Sequence, residues 1–361
     1  MKYPIYQPFL NGNEKKYVND ALDSTWISSR GLYIEKFETA CASLCNVSEA
    51  IAVANGTVAL HLVLLAAGIK PGDSVIVPDL TYVASANAVL YCGADVKLVD
   101  VEPDSWNISN KALIEAIDDT VKAVIITDLY GVPAVLDKET KEYLINKDIK
   151  IIEDAAEAIG SYLSEEPAGS LGEFGVFSFF GNKTITTGEG GMILSHDSES
   201  ASLLRKLRNQ GNSEKKRYFH DILGYNYRMT NIQAAIGVAQ LEQLSEIIEK
   251  KRRIFKWYEY FLEEKVKFQV VPNNCNVNHW LVSVLLPSNT NPSIIANRLL
   301  NSEIETRPVF IPISEMPYME KAETPVSHDI SMRGISLPSY PDLQRKDVES
   351  ICSELINCME Q

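Results

Sequence analysis

Short β-branched runs recur along the chain with helix-length stretches between them, and this alternation limits the possible folds more than any other feature. The runs are IAVA (51–54), SVIVP (74–78), VKLVDV (96–101), AVIIT (123–127), KIIED (150–154), VFSFF (176–180) and MILS (192–195). Segments between them, such as VALHLVLLAAGI and SANAVLYCG, have the length and apolar content of helices. Strands separated by crossover helices build a layered α/β fold with a largely parallel sheet. A long helical pattern around Gln233 to Arg253 closes this region. Past residue 265 the pattern thins to the strands VSVLLP and ETRPVF with short helices, which predicts a smaller α+β unit. The expected division is a large domain over 1–250 and a small C-terminal domain over 251–361.

Charge narrows the partners. With 34 basic and 48 acidic side chains the formal net charge is −14, and the pI is near 4.9. Such a surface repels nucleic-acid backbones and anionic membranes, while leaving room for a local positive pocket that takes a phosphate-bearing ligand. The six cysteines (Cys41, Cys45, Cys92, Cys275, Cys352, Cys358) make no metal pattern. Cys41 and Cys45 are one helical turn apart, but no nearby Cys or His completes a zinc set, so no metal is expected. Buried thiols in a reducing compartment are the simpler reading. The N-terminus, MKYPIYQPFLNGNEKK, lacks a basic region followed by an apolar core and does not read as a signal peptide. The most apolar stretch, AIAVANGTVALHLVLLAAGI, is interrupted by Asn55, Gly56, Thr57 and His61. It predicts a strand, a turn and a buried helix, and not a membrane span. A cytoplasmic protein is expected.

Ligands of open α/β sheets sit beyond the carboxyl ends of the strands, where three segments carry chemistry. NGTVAL (55–60) follows the first strand. A Gly-Thr pair opening an apolar helix exposes backbone N–H groups to an anion, and Thr57 adds a hydroxyl. An ordinary N-cap by Asn55 or Thr57 explains the same residues. IIEDAAEAIG (151–160) delivers Glu153 and Asp154 at a strand end, and because side chains alternate only one of them can face the ligand. That carboxylate suits a protonated ring nitrogen. The competing explanation is a capping box of Asp154 and Glu157 opening a helix.

The third segment, GVFSFFGNKTITTGEGGMILS (175–195), places Lys183 in a turn between an aromatic strand and a glycine-rich stretch. A desolvated lysine has a lowered pKa and can form a Schiff base. The Gly-to-Lys spacing is not that of a phosphate-binding P-loop, and no G-x-G-x-x-G fingerprint occurs. An anion cradle, a strand-end acid and a later buried lysine, in that order, are what pyridoxal phosphate (PLP) requires.

Together with VIVPDLTYVASANAV, LYGVP, GYNYRMTNIQAAIG, ETRPVF and RGISLPSYPDL, these segments resemble the DegT/DnrJ/EryC1/StrS family of sugar aminotransferases over essentially the whole chain. Within it, DSTWISSRG, SFFGNKTITTGEGGM and GYNYRMTNI are most similar to the GDP-perosamine synthase branch. The resemblance implies PLP-dependent fold type I, the aspartate aminotransferase-like fold. It also implies that Lys183 carries the cofactor as a Schiff base and moves protons, and that Asp154 pairs with the pyridinium nitrogen. Tyr82 would stack on the ring, and Gly56, Thr57 and Ser178 would hold the phosphate. Glu157 would approach the phenolic oxygen. Asn226 would reach the phosphate of a neighbouring subunit, which makes the expected unit a homodimer with active sites at the interface. Arg307 and His220 are candidates for substrate contact.

A dehydratase branch of the family carries His where this chain has Lys183, so transamination is expected. L-glutamate would donate the amino group to the 4-keto carbon of a nucleotide-linked 4-keto-6-deoxy sugar. The resemblance points to GDP-4-keto-6-deoxy-D-mannose; UDP- or dTDP-linked keto sugars and a non-catalytic PLP-binding regulator are the alternatives. One departure from the family pattern is Asp128 in ITDLYGVP, where many relatives have His.

Overall fold

The computed structural model describes residues 1–360. Its main sheet is built from β1 (Glu49–Val53), β2 (Ser74–Pro78), β3 (Asp95–Val99), β4 (Val121–Thr127) and β5 (Lys150–Asp154). A short hairpin of β6 (Tyr162–Leu163) and β7 (Glu166–Pro167) follows, and then β8 (Phe174–Ser178) and β9 (Gly191–Ser195) complete the sheet. The order is β1-β9-β8-β5-β4-β2-β3. Strand β9 runs antiparallel to β8 and β1, and every other pair is parallel. Only the β8–β9 connection lacks a crossover, because residues 179–190 form a loop instead of a helix, so β9 returns in the opposite direction.

Alternate residues of each strand enter different cores. Ile51, Val53, Val75, Val77, Ile125, Ile152, Val176 and Ile193 pack against helices Gly56–Ala66, Ala84–Tyr91 and Ser198–Arg208. On the other face, Ala50, Ala52, Phe177 and Leu194 meet helices Leu32–Leu44 and Asn231–Glu242, while Ile76, Val124 and Ile126 meet Leu113 and Leu144. A period of two with both faces covered is what a buried, mostly parallel sheet demands.

The later strands are β10 (Lys267–Phe268), β11 (Cys275–Asn276), β12 (Val282–Leu285), β13 (Arg307–Pro308) and β14 (Gly334–Leu337). Four of them form an antiparallel sheet in the order β10-β12-β14-β13, covered by helices Pro292–Asn301 and Arg345–Glu360. Strand β11 instead extends the β6–β7 hairpin.

The long helical pattern expected around 233–253 is two helices, Asn231–Glu242 and Leu244–Leu262, broken at Gln243 (φ −106°, ψ 0°). The Gln243 side chain is drawn to Glu14, donating to Oε1 over 3.1 Å. The second helix serves two cores: Leu244, Ile247 and Ile248 pack with Phe37, whereas Ile254, Tyr258 and Leu262 pack with the small sheet. Residue 250 therefore falls where the packing of the helix changes side. The first residues of the chain travel with the smaller core, since Tyr3 bridges Ile304 and packs beside Tyr258. All six cysteines are free thiols. Among the described residues, no helix is long and apolar enough to cross a membrane.

Candidate active site

A cavity of about 580 Å3 opens at the carboxyl ends of β1, β5 and β8. Of the residues singled out in the sequence, Gly56, Thr57, Tyr82, Asp154, Glu157, Ser178, Lys183 and Arg307 all line it.

One wall is the start of helix Gly56–Ala66. Asn55 is extended (φ −169°) and caps the helix, its side chain accepting from the Val58 N–H at 3.0 Å. With Asn55 as the cap, Gly56 and Thr57 fall in the first turn, where backbone N–H groups lack helical acceptors and the helix dipole favours an anion. Ser178, at the end of β8, packs so closely that a Cβ on Gly56 would lie 3.0 Å from the Ser178 Cβ. Gly191, paired with Ser178 across β8–β9, is equally confined, because a Cβ there would meet the Asn55 carbonyl carbon at 2.6 Å. The glycines let three chain segments meet closely at the start of this helix.

The opposite wall is the end of β5. Asp154 Oδ2 accepts from Ser85 Oγ at 2.6 Å, and Oδ1 accepts from the Ala156 N–H at 3.2 Å. Burial raises the Asp154 pKa; the Ser85 hydrogen bond and the charge of Lys183 oppose that rise. Glu153 points the other way, as alternation requires, and takes the Gly169 and Leu171 N–H groups at 2.7 Å each. No helix begins at Asp154: residues 155–160 are turns, so the capping-box explanation fails. Glu157 is instead carried into the cavity. Its Oε2 accepts from the Tyr130 N–H at 2.7 Å, and its Oε1 lies 3.4 Å from Lys183 Nζ. Burial pushes Glu157 up to about 7, against the pull of the Lys183 charge and the Tyr130 N–H.

Lys183 sits in a tight turn, its N–H bonded to the Phe180 carbonyl at 2.9 Å. The Tyr6 hydroxyl donates to the Lys183 carbonyl. Its ammonium lies 4.0 Å from the centre of the Trp280 ring, whose Nε1 donates to the Asn182 carbonyl at 2.7 Å. Trp280 stacks on Tyr130, and Tyr130 on Phe310, with centroid separations of 6.1 and 5.5 Å. Sequence reasoning missed this aromatic wall. Tyr130 lies in the LYGVP segment and takes a left-handed conformation (φ 55°) to turn its amide toward Glu157. Trp280 comes from a distant loop with no periodic signal. Tyr82 is exposed at the cavity mouth, 5.7 Å from the Phe310 ring centre, and Arg307 reaches the cavity from β13.

Asn226 and His220 do not join this cavity. Both lie on the segment between helices Ser198–Arg208 and Asn231–Glu242, which runs along the free edge of β1 through the Ala54 N–H to Tyr227 carbonyl bond of 2.8 Å. Asn226 Oδ1 accepts from Arg228, and His220 Nδ1 lies 2.7 Å from the Gln210 carbonyl oxygen.

The residues present fit PLP. A helix start with an adjacent serine hydroxyl matches a phosphate dianion, and a buried carboxylate across the cavity matches a cationic ring nitrogen. Between them stands a lysine within reach of an acid. Asn182, which also lines the cavity, has a buried amide oxygen, Oδ1, with no hydrogen-bond partner among the described residues. Fold and site together define a PLP-dependent transferase of fold type I.

The chain matches the DegT/DnrJ/EryC1/StrS aminotransferase family over residues 8–356. It is 45% identical over 358 residues to a GDP-perosamine synthase of Escherichia coli O157:H7, with 98% of each chain covered. It is 42% identical to a GDP-perosamine synthase of Vibrio cholerae, covering 99% of this chain and 98% of the other. The aminotransferase TlmJ from Streptoalloteichus hindustanus superposes with a TM-score of 0.94 at 26% identity, over 99% of both chains. The protein belongs to the DegT/DnrJ/EryC1/StrS aminotransferase family, and its cofactor is PLP.

Proposed function

We propose that the protein transfers the amino group of L-glutamate to the C-4 keto carbon of GDP-4-keto-6-deoxy-D-mannose, giving GDP-perosamine and 2-oxoglutarate. The observation that carries the chemistry is Lys183 Nζ, 3.4 Å from Glu157 in a cavity bounded by Asp154 and an open helix start. What supports the sugar is the identity of 42–45% to relatives named for GDP-perosamine, over nearly the full length of both chains.

PLP, when bound, supplies an electron sink for the carbon atom that gives up or receives the amino group. The rest falls to the chain. The Gly56 and Thr57 amides and the Thr57 and Ser178 hydroxyls hold the phosphate. Asp154 keeps the ring nitrogen protonated from a buried position where its charge is poorly screened. Lys183 Nζ holds the cofactor and then moves a proton at the reacting carbon. Glu157 Oε1 orients that amine and, with a pKa near 7, can give or take a proton at working pH. Tyr130, Trp280 and Phe310 exclude water from one side, and Tyr82 covers the ring from the mouth. Arg307 contacts the substrate.

The working unit we propose is a cytoplasmic homodimer in which Asn226 reaches the partner's cofactor phosphate. Exposed Trp26, Ile27, Tyr218 and Leu223 flank that residue's segment and support a protein surface there. A large cofactor-binding domain over 1–250, whose first residues pack on the smaller core, and a small one over 251–361, joined by helix Leu244–Leu262, complete the reading.

Incubating the purified protein with PLP, L-glutamate and GDP-4-keto-6-deoxy-D-mannose tests it, with product identified by mass spectrometry and NMR. UDP- and dTDP-linked keto sugars run in parallel. GDP-perosamine is the expected product. An untouched GDP sugar beside an aminated UDP or dTDP sugar would overturn the substrate assignment.

A further inference from the structure

Asp128, just past the end of β4, is fully buried, and the function proposed above gives it no task. Its surroundings are acidic. Ile126 is in register with Glu153 across β4–β5, and two residues on the Asp128 carboxyl meets that of Glu153, itself fully buried. Asp154 follows in the chain and adds a third negative group. Lys141 and Cys275 are the other titratable groups whose charge reaches the pair. Among the described residues Lys141 makes no ion pair with either acid, and burial pushes the Cys275 thiol up to about 11, which leaves it neutral.

Counting donors locates a proton. Glu153 takes the Gly169 and Leu171 N–H groups, one on each oxygen. Asp128 Oδ1 takes the Ala134 N–H at 2.8 Å. Asp128 Oδ2 is buried and has no hydrogen-bond partner among the described residues. Two ionised carboxylates in contact away from water repel each other and leave that oxygen unsatisfied. A hydrogen on Oδ2, donated to Glu153, removes both penalties. Asp128 has fewer donors than Glu153, so the proton belongs to Asp128.

The same residue anchors a turn. Its N–H donates to the Asp154 carbonyl at 3.1 Å, and its carbonyl accepts from the Gly131 N–H at 3.0 Å. With the Ala134 bond, these fix the stretch in which Tyr130 takes its left-handed conformation and presents its N–H to Glu157. Glu157 Oε1 in turn lies beside Lys183.

We propose that Asp128 is a positioning residue: it holds a proton shared with Glu153, and this neutral carboxyl pair fixes the Tyr130 turn that sets Glu157 against Lys183. The link to catalysis rests on the roles given above to Glu157 and Lys183; the shared proton does not.

Asp128→Asn tests the proton, because its amide accepts from Ala134 and donates to Glu153 as the protonated acid does. Infrared difference spectra of the PLP-loaded protein at about pH 8 should show a carboxylic acid C=O band in the wild type that Asp128→Asn lacks. Unfolded, Asp128 ionises near 3.8, and folded it keeps its proton well above that. Unfolding therefore releases a proton between those limits, and the wild type loses stability relative to Asp128→Asn as pH rises. The urea midpoint of Asp128→Asn should exceed that of the wild type at about pH 8, by a margin that shrinks at about pH 5.

Asp128→Ala tests the positioning. A loosened turn takes from Glu157 an N–H that favours its charged form. The pH profile of the bound cofactor's absorbance should then move upward by about half a pH unit or more. Bleaching by L-glutamate should slow roughly 10-fold. Asp128→Asn should restore both. An Asp128→Asn protein as impaired as Asp128→Ala, or spectra without the acid band, would overturn the proposal. A wild type that L-glutamate does not bleach would overturn the amino donor instead, while the infrared band and the absorbance profile still decide the role of Asp128.

Discussion

Two lysines of this chain are withdrawn from solvent, and they have opposite surroundings. Lys251, in helix Leu244–Leu262, is 1% exposed and donates to one group, the Ser339 carbonyl at 2.8 Å. Among the described residues no carboxylate pairs with it, and burial alone lowers its pKa to about 7. Lys183 keeps 12% of its side chain exposed, sits beside Glu157 and the Trp280 ring, and faces the large cavity. Burial makes an amine less willing to hold a proton, but a sealed core gives no substrate access to it. A working lysine needs adjacent space and an acid to exchange protons with. Lys183 has both, and Lys251 has neither.

The largest effect expected separates the two directly. Lys183→Ala should lower turnover on the order of 10³-fold or more and abolish the normal absorbance of the bound cofactor. Lys251→Met, of similar length, should stay within about twofold of wild-type turnover, as substitutions remote from the reacting atoms do. Comparable losses in both would break the distinction. Asp154→Asn comes next. It keeps the Ser85 hydrogen bond but removes the charge facing the ring, for an expected loss on the order of 10²-fold in kcat with cofactor still bound. Absorbance and steady-state rates measured together would detect a variant that merely lost cofactor.

Lys251 has its own signature in stability. Its amine loses its proton near 7 in the folded chain and near the ordinary lysine value in the unfolded one. Between those limits unfolding takes up a proton, so stability rises with pH across that window. Below about pH 7 the folded chain bears the full cost of a buried ammonium; by about pH 9 on the order of 2 kcal/mol of it is relieved. Urea midpoints at the two pH values should diverge in the wild type and converge in Lys251→Met. Parallel midpoints in both would mean that the ammonium has a partner.

The same contrast explains what was legible in the sequence. SVIVP and KIIED are strands over their full expected lengths, because an uninterrupted β-branched run between turn residues has few other ways to bury itself. Lys183, Asp154 and Gly56-Thr57 stand out because each lies at the end of such a strand, where pattern and position coincide. Lys251 gives no signal, since a lysine in an amphipathic helix normally faces water. Trp280 and Tyr130 were hidden for a different reason. They come from segments far apart in the chain, and only the closed fold brings them together. The break at Gln243 was likewise invisible, being set by a tertiary contact with Glu14.

The smallest effect concerns the acid that distinguishes Lys183. Glu157 is protonated in the folded chain up to about 7, whereas an ordinary glutamate ionises near 4.5. Between those values unfolding releases a proton, so this side chain costs stability as pH rises from 4.5 to about 7, and nothing below that window. Glu157→Gln keeps an acceptor for the Tyr130 N–H but cannot ionise. It should remove a limb near neutrality from the pH profile of kcat/KM, with a rate loss of about two- to tenfold above pH 7 and less below it. Its melting temperature should approach the wild type at low pH and exceed it near neutrality. If the limb survives in Glu157→Gln, the proton belongs to another group. The acid beside the lysine would then be an orienting group alone, and the contrast with Lys251 would rest on access rather than on proton exchange.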